Sequence, residues 1–308
     1  MSLKSLKLKI RGINKTRQVT KAMEAVSAVK MRKSQERAFM ARPYAVTAAA
    51  LLKRLSTSFD IAEHPLVKVR PIRKVLLIVI TSDRGLAGSL NSSLIASIRR
   101  FITEHKLSKE SLALICLGRK GFEYFSKRGF TLLAHHERLS DTPDQTLLRS
   151  VADECTALYA VGSYDRVMVC YSNFISTLNQ QPAIRQMLPF KPQELEAVIT
   201  GIAPAKGKYA EDQVDVRAIT AAPASYSYEP SPEQLYRTLL PILLTAITYH
   251  GALESKASEF SARMIAMKNA SDKAKDLSHT LTRKYNKIRQ SSITREVSEI
   301  IGGMEALA

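Results

Sequence analysis

Residues 75–94 read VLLIVITSDRGLAGSLNSSL: an apolar run, then Thr81-Ser82-Asp83-Arg84, glycines at 85 and 88, and the opening of a helix. Hydroxyls, a carboxylate, a guanidinium and glycines at a strand-to-helix turn are the parts from which a phosphate cradle is made. A second such turn, LGRKGFEYF, carries glycines at 118 and 121. Neither has the full set of parts. A Walker loop needs GxxxxGK[ST], so that a lysine meets the phosphates and a hydroxyl meets magnesium. That string does not occur. A dinucleotide fingerprint needs GxGxxG, whereas both turns are GxxG, the first with bulky Arg84 and Leu86 beside its glycine. Such turns also take glycine for conformational reasons alone. There is no GxSxG, no HExxH and no carboxylate pair at a telling spacing. The adjacent His135 and His136 point to opposite faces of a strand, which disfavours a metal site. Cys116 and Cys170 lie in apolar runs and, with Cys155, show no CxxC spacing, so buried reduced thiols are expected. The expectation is a chain without catalytic residues, cofactor or metal, whose glycine loop is a structural turn or a protein contact.

The elements around these turns fall into three stretches. Residues 3 to about 55 contain a single glycine, Gly12, and a single proline, Pro43. Leu3, Leu6, Ile10 and Ile13 follow 3–4–3 spacing, and Val19, Met23 and Val26 resume it after a slip, the pattern of a coiled coil with a stutter. A helix of about 50 residues is roughly 75 Å long and cannot bury such a seam alone. Its partner lies at the other chain end, where Ser231 supplies an N-cap, Pro232 the first helical position and Glu233 a first-turn acid. From there Leu239, Ile242, Ala246, Tyr249, Leu253, Phe260, Met267, Ala274, Leu277, Leu281 and Ile288 form a near-heptad series toward Gly302-Gly303. Pro241 is expected to kink its first turns. Two long helices at opposite ends of one chain pack most simply as an antiparallel coiled coil.

Between them, KVLLIVIT, SLALICLG, FTLLAHH and DRVMVCYS alternate with helical stretches near 91–105, 119–128 and 144–160, which predicts an α/β unit on a mainly parallel sheet. Residues 191–228, rich in Ala and Pro, read as an exit loop with room for one more strand. The expected division is a coiled-coil helix over 1–57, an α/β domain over 74–215, and a second coiled-coil helix over 230–308.

The 308 residues carry a net charge of +18, unevenly distributed. Residues 1–54 hold 14 Lys/Arg against Glu24 and Glu36, a local charge of +12. Such a segment seeks an acidic partner: nucleic acid, lipid headgroups or acidic protein. No apolar run reaches the ~18 residues of a membrane span. The basic N-terminus lacks the apolar core of a secretory signal, and no direct membrane insertion is expected.

Four segments resemble the γ subunit of the rotary F-type ATP synthase: VTKAMEAVSAVKMRKSQERA…RPYA (19–45), TSDRGLAGSLN (81–91), ASEFSARMIAMKNASDKA (257–274) and YNKIRQSSITREVSEIIGG (285–303). They occur in the family's order and cover about a quarter of the chain. The resemblance implies a long antiparallel coiled coil beside a Rossmann-like α/β domain, acting as a central rotor shaft. The implied partners are three α and three β subunits of the catalytic head, the ε subunit, and the c-subunit ring of the membrane sector. Rotation of that ring would drive the catalytic β subunits through their conformations, and this chain would have no active site of its own. The basic rod would face acidic C-terminal lobes of the catalytic subunits.

By the same resemblance, Arg289, Gln290, Thr294 and Glu296 match a segment that hydrogen-bonds β-subunit loops. Met23 matches a position against the β lever. Lys21, Lys30, Arg32 and Lys33 are the expected contacts to acidic lobes, and Arg84 a cation presented to a β subunit. The sequence lacks the closely spaced cysteine pair of thiol-regulated photosynthetic relatives and ends in GGMEALA where smaller residues are usual. The N-terminal pattern and missing transit peptide point to the cytoplasmic face of a bacterial inner membrane. The rivals are a basic coiled-coil nucleic-acid-binding protein, which would show steeply salt-dependent DNA binding, and a dinucleotide enzyme built on the middle domain.

Overall fold

A computed structural model describes residues 2–58, 64–190, 229 and 231–305. Its elements run α1 (Leu3–Ser58), β1 (Val75–Ile80), α2 (Leu90–Glu104), β2 (Leu112–Leu117), α3 (Arg119–Ser126), β3 (Thr131–His136), α4 (Gln145–Ala160), β4 (Arg166–Phe174), β5 (Gln180–Leu188) and α5 (Pro232–Glu305). The exit segment 191–228, its anticipated strand and the last residues of the tail lie outside the described residues. The chain divides into two compact units, one of residues 28–262 and one of residues 1–27 with 263–308.

In the larger unit the five strands are ordered β3-β2-β1-β4-β5. The β1–β2, β1–β4 and β2–β3 pairs are parallel, and β5 joins β4 antiparallel. β1 is buried along its whole length because both faces are covered. Leu76, Ile78 and Ile80 join a core with α4, with Leu52 and Leu55 of α1, and with Tyr236, Leu240 and Leu243 of α5. Val75, Leu77 and Val79 point the other way, to Leu94 and Ile98 of α2 and Phe125 of α3. The period-2 alternation of one apolar strand thus holds two helical layers. β5 was not anticipated: QQPAIRQML is polar and contains Pro182, a composition confined to edge strands, where an unpaired backbone side tolerates the missing N–H.

α5 begins as expected, with Ser231 Oγ accepting from Gln234 N at 3.2 Å and Ser231 O from Leu235 N. Pro241 lies inside it, and the helix is 74 residues long in all. Residues 251–260 of α5 are buried without exception, including Glu254, Lys256 and Glu259. Their polar groups bond outward within the unit. Ser258 Oγ donates to Ser172 O at 2.9 Å, Ser261 Oγ to Thr177 O at 2.6 Å, and Lys256 Nζ to Leu139 O at 3.1 Å.

The smaller unit pairs the start of α1 with the distal part of α5 as an antiparallel coiled coil, in which Ser278 Oγ donates to Asn14 Oδ1 at 2.8 Å across 264 residues of sequence. The least exposed positions of α5 from here on are 267, 271, 274, 278, 281, 285 and 288, an unbroken 4–3 heptad. On α1 the buried positions are 6, 20, 27, 31 and 34, and the half-buried 10, 13 and 24 fall in the same heptad phase. This corrects the stutter. Thr20, Ser27 and Ser34 are buried in this series beside Leu6 and Met31, whereas Val19 is 58% and Val26 54% exposed. Leu277 is likewise exposed, and Ser278 takes the inward place. Small side chains let helices approach closely, so at these positions a Thr or Ser turns inward while the neighbouring valine or leucine faces solvent.

Candidate functional site

The glycine loop after β1 is held by its own polar residues. Thr81 Oγ1 accepts from Gly121 N at 2.8 Å and donates to Gly118 O at 3.2 Å, tying the first turn of α3 to the end of β1. Asn91 Oδ1 accepts from Ser82 N, Asn91 Nδ2 donates to Ser82 Oγ at 2.7 Å, and Ser82 Oγ donates to Arg84 O. The Asp83 carboxylate accepts from Arg119 N and from Leu139 N, both at 3.0 Å, and Arg119 also reaches Asp83 O. Asp83 therefore caps α3 from another strand end, because Gly118, the N-cap, has no side chain to do so. Lys120 N donates to Ser82 O. The amides of Arg119, Lys120 and Gly121 in the first turn of α3 are thus taken by protein acceptors. Gly118 is required sterically: at φ 107°, a Cβ there would stand 2.1 Å from Thr81 O.

The loop sends outward Arg84 and, beyond the reach of the sequence reading, Leu86. Arg84 is exposed. Leu86 is 63% exposed and sits at φ 63°, a left-handed backbone uncommon for a branched residue, although Gly85 stands beside it. Its only signal in the sequence is the bulky residue between two glycines.

The buried ionisable groups serve packing. Burial pushes the Cys116 and Cys155 thiols up to about 12 and raises Cys170 as well, so all three are inert. Burial also raises the Glu254 carboxyl to about 8, against the opposing pull of Arg185 and a hydrogen bond from Tyr171. His135 stacks on Phe122 with centroids 4.1 Å apart. Among the described residues no group of His, Cys, Asp or Glu could hold a metal ion.

The expected contact residues fall in three places. With the coiled coil registered at Asn14–Ser278, Leu3 at the start of α1 comes opposite Arg289. From Gln290 to Glu305 α5 therefore runs past the first turn of its partner. Arg289, Gln290, Thr294 and Glu296 are all exposed in this region, and Thr294 Oγ1 donates to Gln290 O at 3.0 Å. The same tip exposes Ile293, Val297, Ile300, Ile301 and Met304, an apolar face that the sequence reading did not single out. On α1, Lys21 is paired with Glu24 at 3.2 Å and Met23 is half-buried. Lys30 is drawn inward: its Nζ lies 2.7 Å from Asp141 Oδ2 and 5.6 Å from the Phe260 ring centroid. Arg32 and Lys33 are exposed and have no ion-pair partner among the described residues. Arg84 lies on the loop after β1, in the larger unit.

Comparison with known proteins agrees along the whole chain. The family model described as ATP synthase matches residues 2–307. The ATP synthase gamma chain of Pelotomaculum thermopropionicum is 38% identical over 306 residues, covering 99% of each chain. That of Roseiflexus castenholzii is 38% identical over 309 residues, covering 100% of this chain and 99% of its own. Among solved structures, a chain of the Euglena gracilis mitochondrial ATP synthase OSCP/F1/c-ring assembly is 20% identical with a TM-score of 0.65, covering 99% of this chain and 94% of that one. A chain of the Tetrahymena thermophila central stalk and c-ring is 22% identical with a TM-score of 0.60, covering 82% and 99%. Nothing among these relatives supports the nucleic-acid-binding reading.

Proposed function

Since the chain belongs to the ATP synthase family as a γ chain, we propose the contacts through which it does that family's work. Its function is that of the central rotor shaft, coupling rotation of the membrane ring to conformational cycling of the catalytic head. The observation that carries the mechanism is α5 itself, a single helix of 74 residues over Pro232–Glu305.

In our reading, the tip residues Arg289, Gln290, Thr294 and Glu296 hydrogen-bond loops of the β subunits, and Met23 rests against the β lever. Lys21, Arg32 and Lys33 attract the acidic lobes, and Arg84 offers its guanidinium to a β subunit. Lys30, engaged with Asp141, would have to exchange partners to join them. Exposed ion pairs are worth about 0–1 kcal/mol each, so contacts of this kind break and re-form as the shaft turns. The assembly would hold three α and three β subunits around one shaft, with the ε subunit and the c ring near the α/β domain. The domain division we propose is 1–57, 74–215 and 230–308. No described helix is long and apolar enough to cross a membrane. We place the chain peripherally at the cytoplasmic face of a bacterial inner membrane.

Co-expression with cognate α and β subunits tests this. A complex with ATPase activity that the chain alone lacks is expected, and changing Arg289 and Gln290 together to Ala should lower turnover by about threefold or more while the complex still assembles. Unchanged turnover removes both residues from the contact set.

A further inference from the structure

The sheet face opposite the long helices carries a second basic surface. Residues 89–130 hold eight Lys/Arg against Glu104, Glu110 and Glu123. Between α2 and α3 lies an open cleft of about 490 Å³, with Ile95 and Tyr124 in its lining and Arg99, Lys120, Lys127 and Arg128 along it. Its one carboxylate, Glu123, is already bonded to Lys120 Nζ at 2.8 Å. Arg128 is fixed in place: its guanidinium lies 3.7 Å from the Tyr124 ring centroid and donates to Tyr124 O, while Lys109 Nζ donates to Arg128 O. Arg99 and Lys127 are exposed and have no ion-pair partner among the described residues.

We propose that this cleft is a docking groove for an acidic amphipathic segment of a partner polypeptide. The arrangement of charge selects that occupant. Lys120 in the first turn of α3 and Lys127 at its C-cap lie about 11 Å apart along the helix axis, so these two cations form a line along the cleft and do not converge on one point. A compact phosphate wants convergent donors and backbone amides, and the amides of the first turn of α3 already serve Asp83, Ser82 and Thr81. Carboxylates spaced one or two turns apart on a helix match the line, and apolar side chains between them match Ile95 and the Tyr124 ring. The groove does not depend on the rotor contacts proposed above.

The test titrates the full chain with a short helical peptide bearing glutamates on one face and leucines beside them, read by fluorescence anisotropy. Binding is expected to weaken with salt and to fall about tenfold or more in the Arg99→Glu/Lys127→Glu variant. Arg99→Lys should retain it. Arg100→Glu, exposed on the same helix but outside the cleft, should leave it within about twofold of the parent. Equal losses in the two charge-reversal variants would reduce the effect to general electrostatics and overturn the groove. So would no binding by the parent chain, or displacement of the peptide by tripolyphosphate at lower concentration.

Discussion

Glu254 shows how a single residue can be legible by type and opaque in role. The sequence offers a glutamate on a helix; the structure buries it beside Tyr171, Arg185 and His250, with His250 Nδ1 3.8 Å from its Oε1. Its Oε2 has no hydrogen-bond partner among the described residues, which suits a neutral acid better than an anion. Because the folded-state value is raised to about 8 from an ordinary 4.5, the folded chain holds a proton that the unfolded chain releases across that window. Stability from this group is therefore full at acid pH, falls as pH rises through the window, and levels off above about 8. Glu254→Gln should melt increasingly above the parent between pH 5 and pH 9, with a gain of about 2 kcal/mol or more at the alkaline end. A constant difference across pH would mean that the side chain titrates normally. Asp83 and Thr81 were equally hidden: the motif they belong to was visible, but their bonding to α3 depends on strand order, which local sequence does not specify.

At the scale of elements, four strands and the five helices among the described residues were legible, because apolar runs of strand length and long glycine-poor stretches have few alternative readings. β5 was missed because an edge strand needs only one bonded side and little apolar content. The seam of α1 was misplaced for a different reason. Hydrophobicity selected Val19 and Val26, whereas close helix packing buried Thr20 and Ser27 one position along. A one-residue error on a helix is a 100° error in facing. It also makes the corrected seam testable by denaturation. Ser27→Leu, forcing a large side chain into a position 3% exposed, should cost about 1–3 kcal/mol. Val26→Ser should cost no more than about 0.5 kcal/mol. The reverse ranking would restore the stutter. The contact residues were legible only through resemblance, since an exposed polar helix face such as Arg289–Glu296 has no distinguishing period of its own.

For the whole molecule, function rests on α5 as one helix over Pro232–Glu305. Lys275 is exposed on α5 beyond the sheet-bearing unit, so its side chain matters little and its backbone matters greatly. Lys275→Pro removes a helical N–H and crowds the preceding turn, a cost of about 3 kcal/mol. The expected outcome is a complex that assembles but loses most of its proton-driven ATP synthesis in inverted vesicles, while Lys275→Ala retains it. Synthesis by the proline variant at the parent rate would show that an intact ladder through this turn is dispensable. The all-round burial of residues 251–260 bears on how that helix is seated. A smooth greasy cylinder in a matching socket could spin freely, since dispersion and water exclusion have no preferred angle. Ser258, Ser261 and Lys256 each latch a fixed carbonyl, and so act as the teeth of a spline: they lock the angular phase of the helix against the sheet, and a twist applied to one must be delivered to the other without slip.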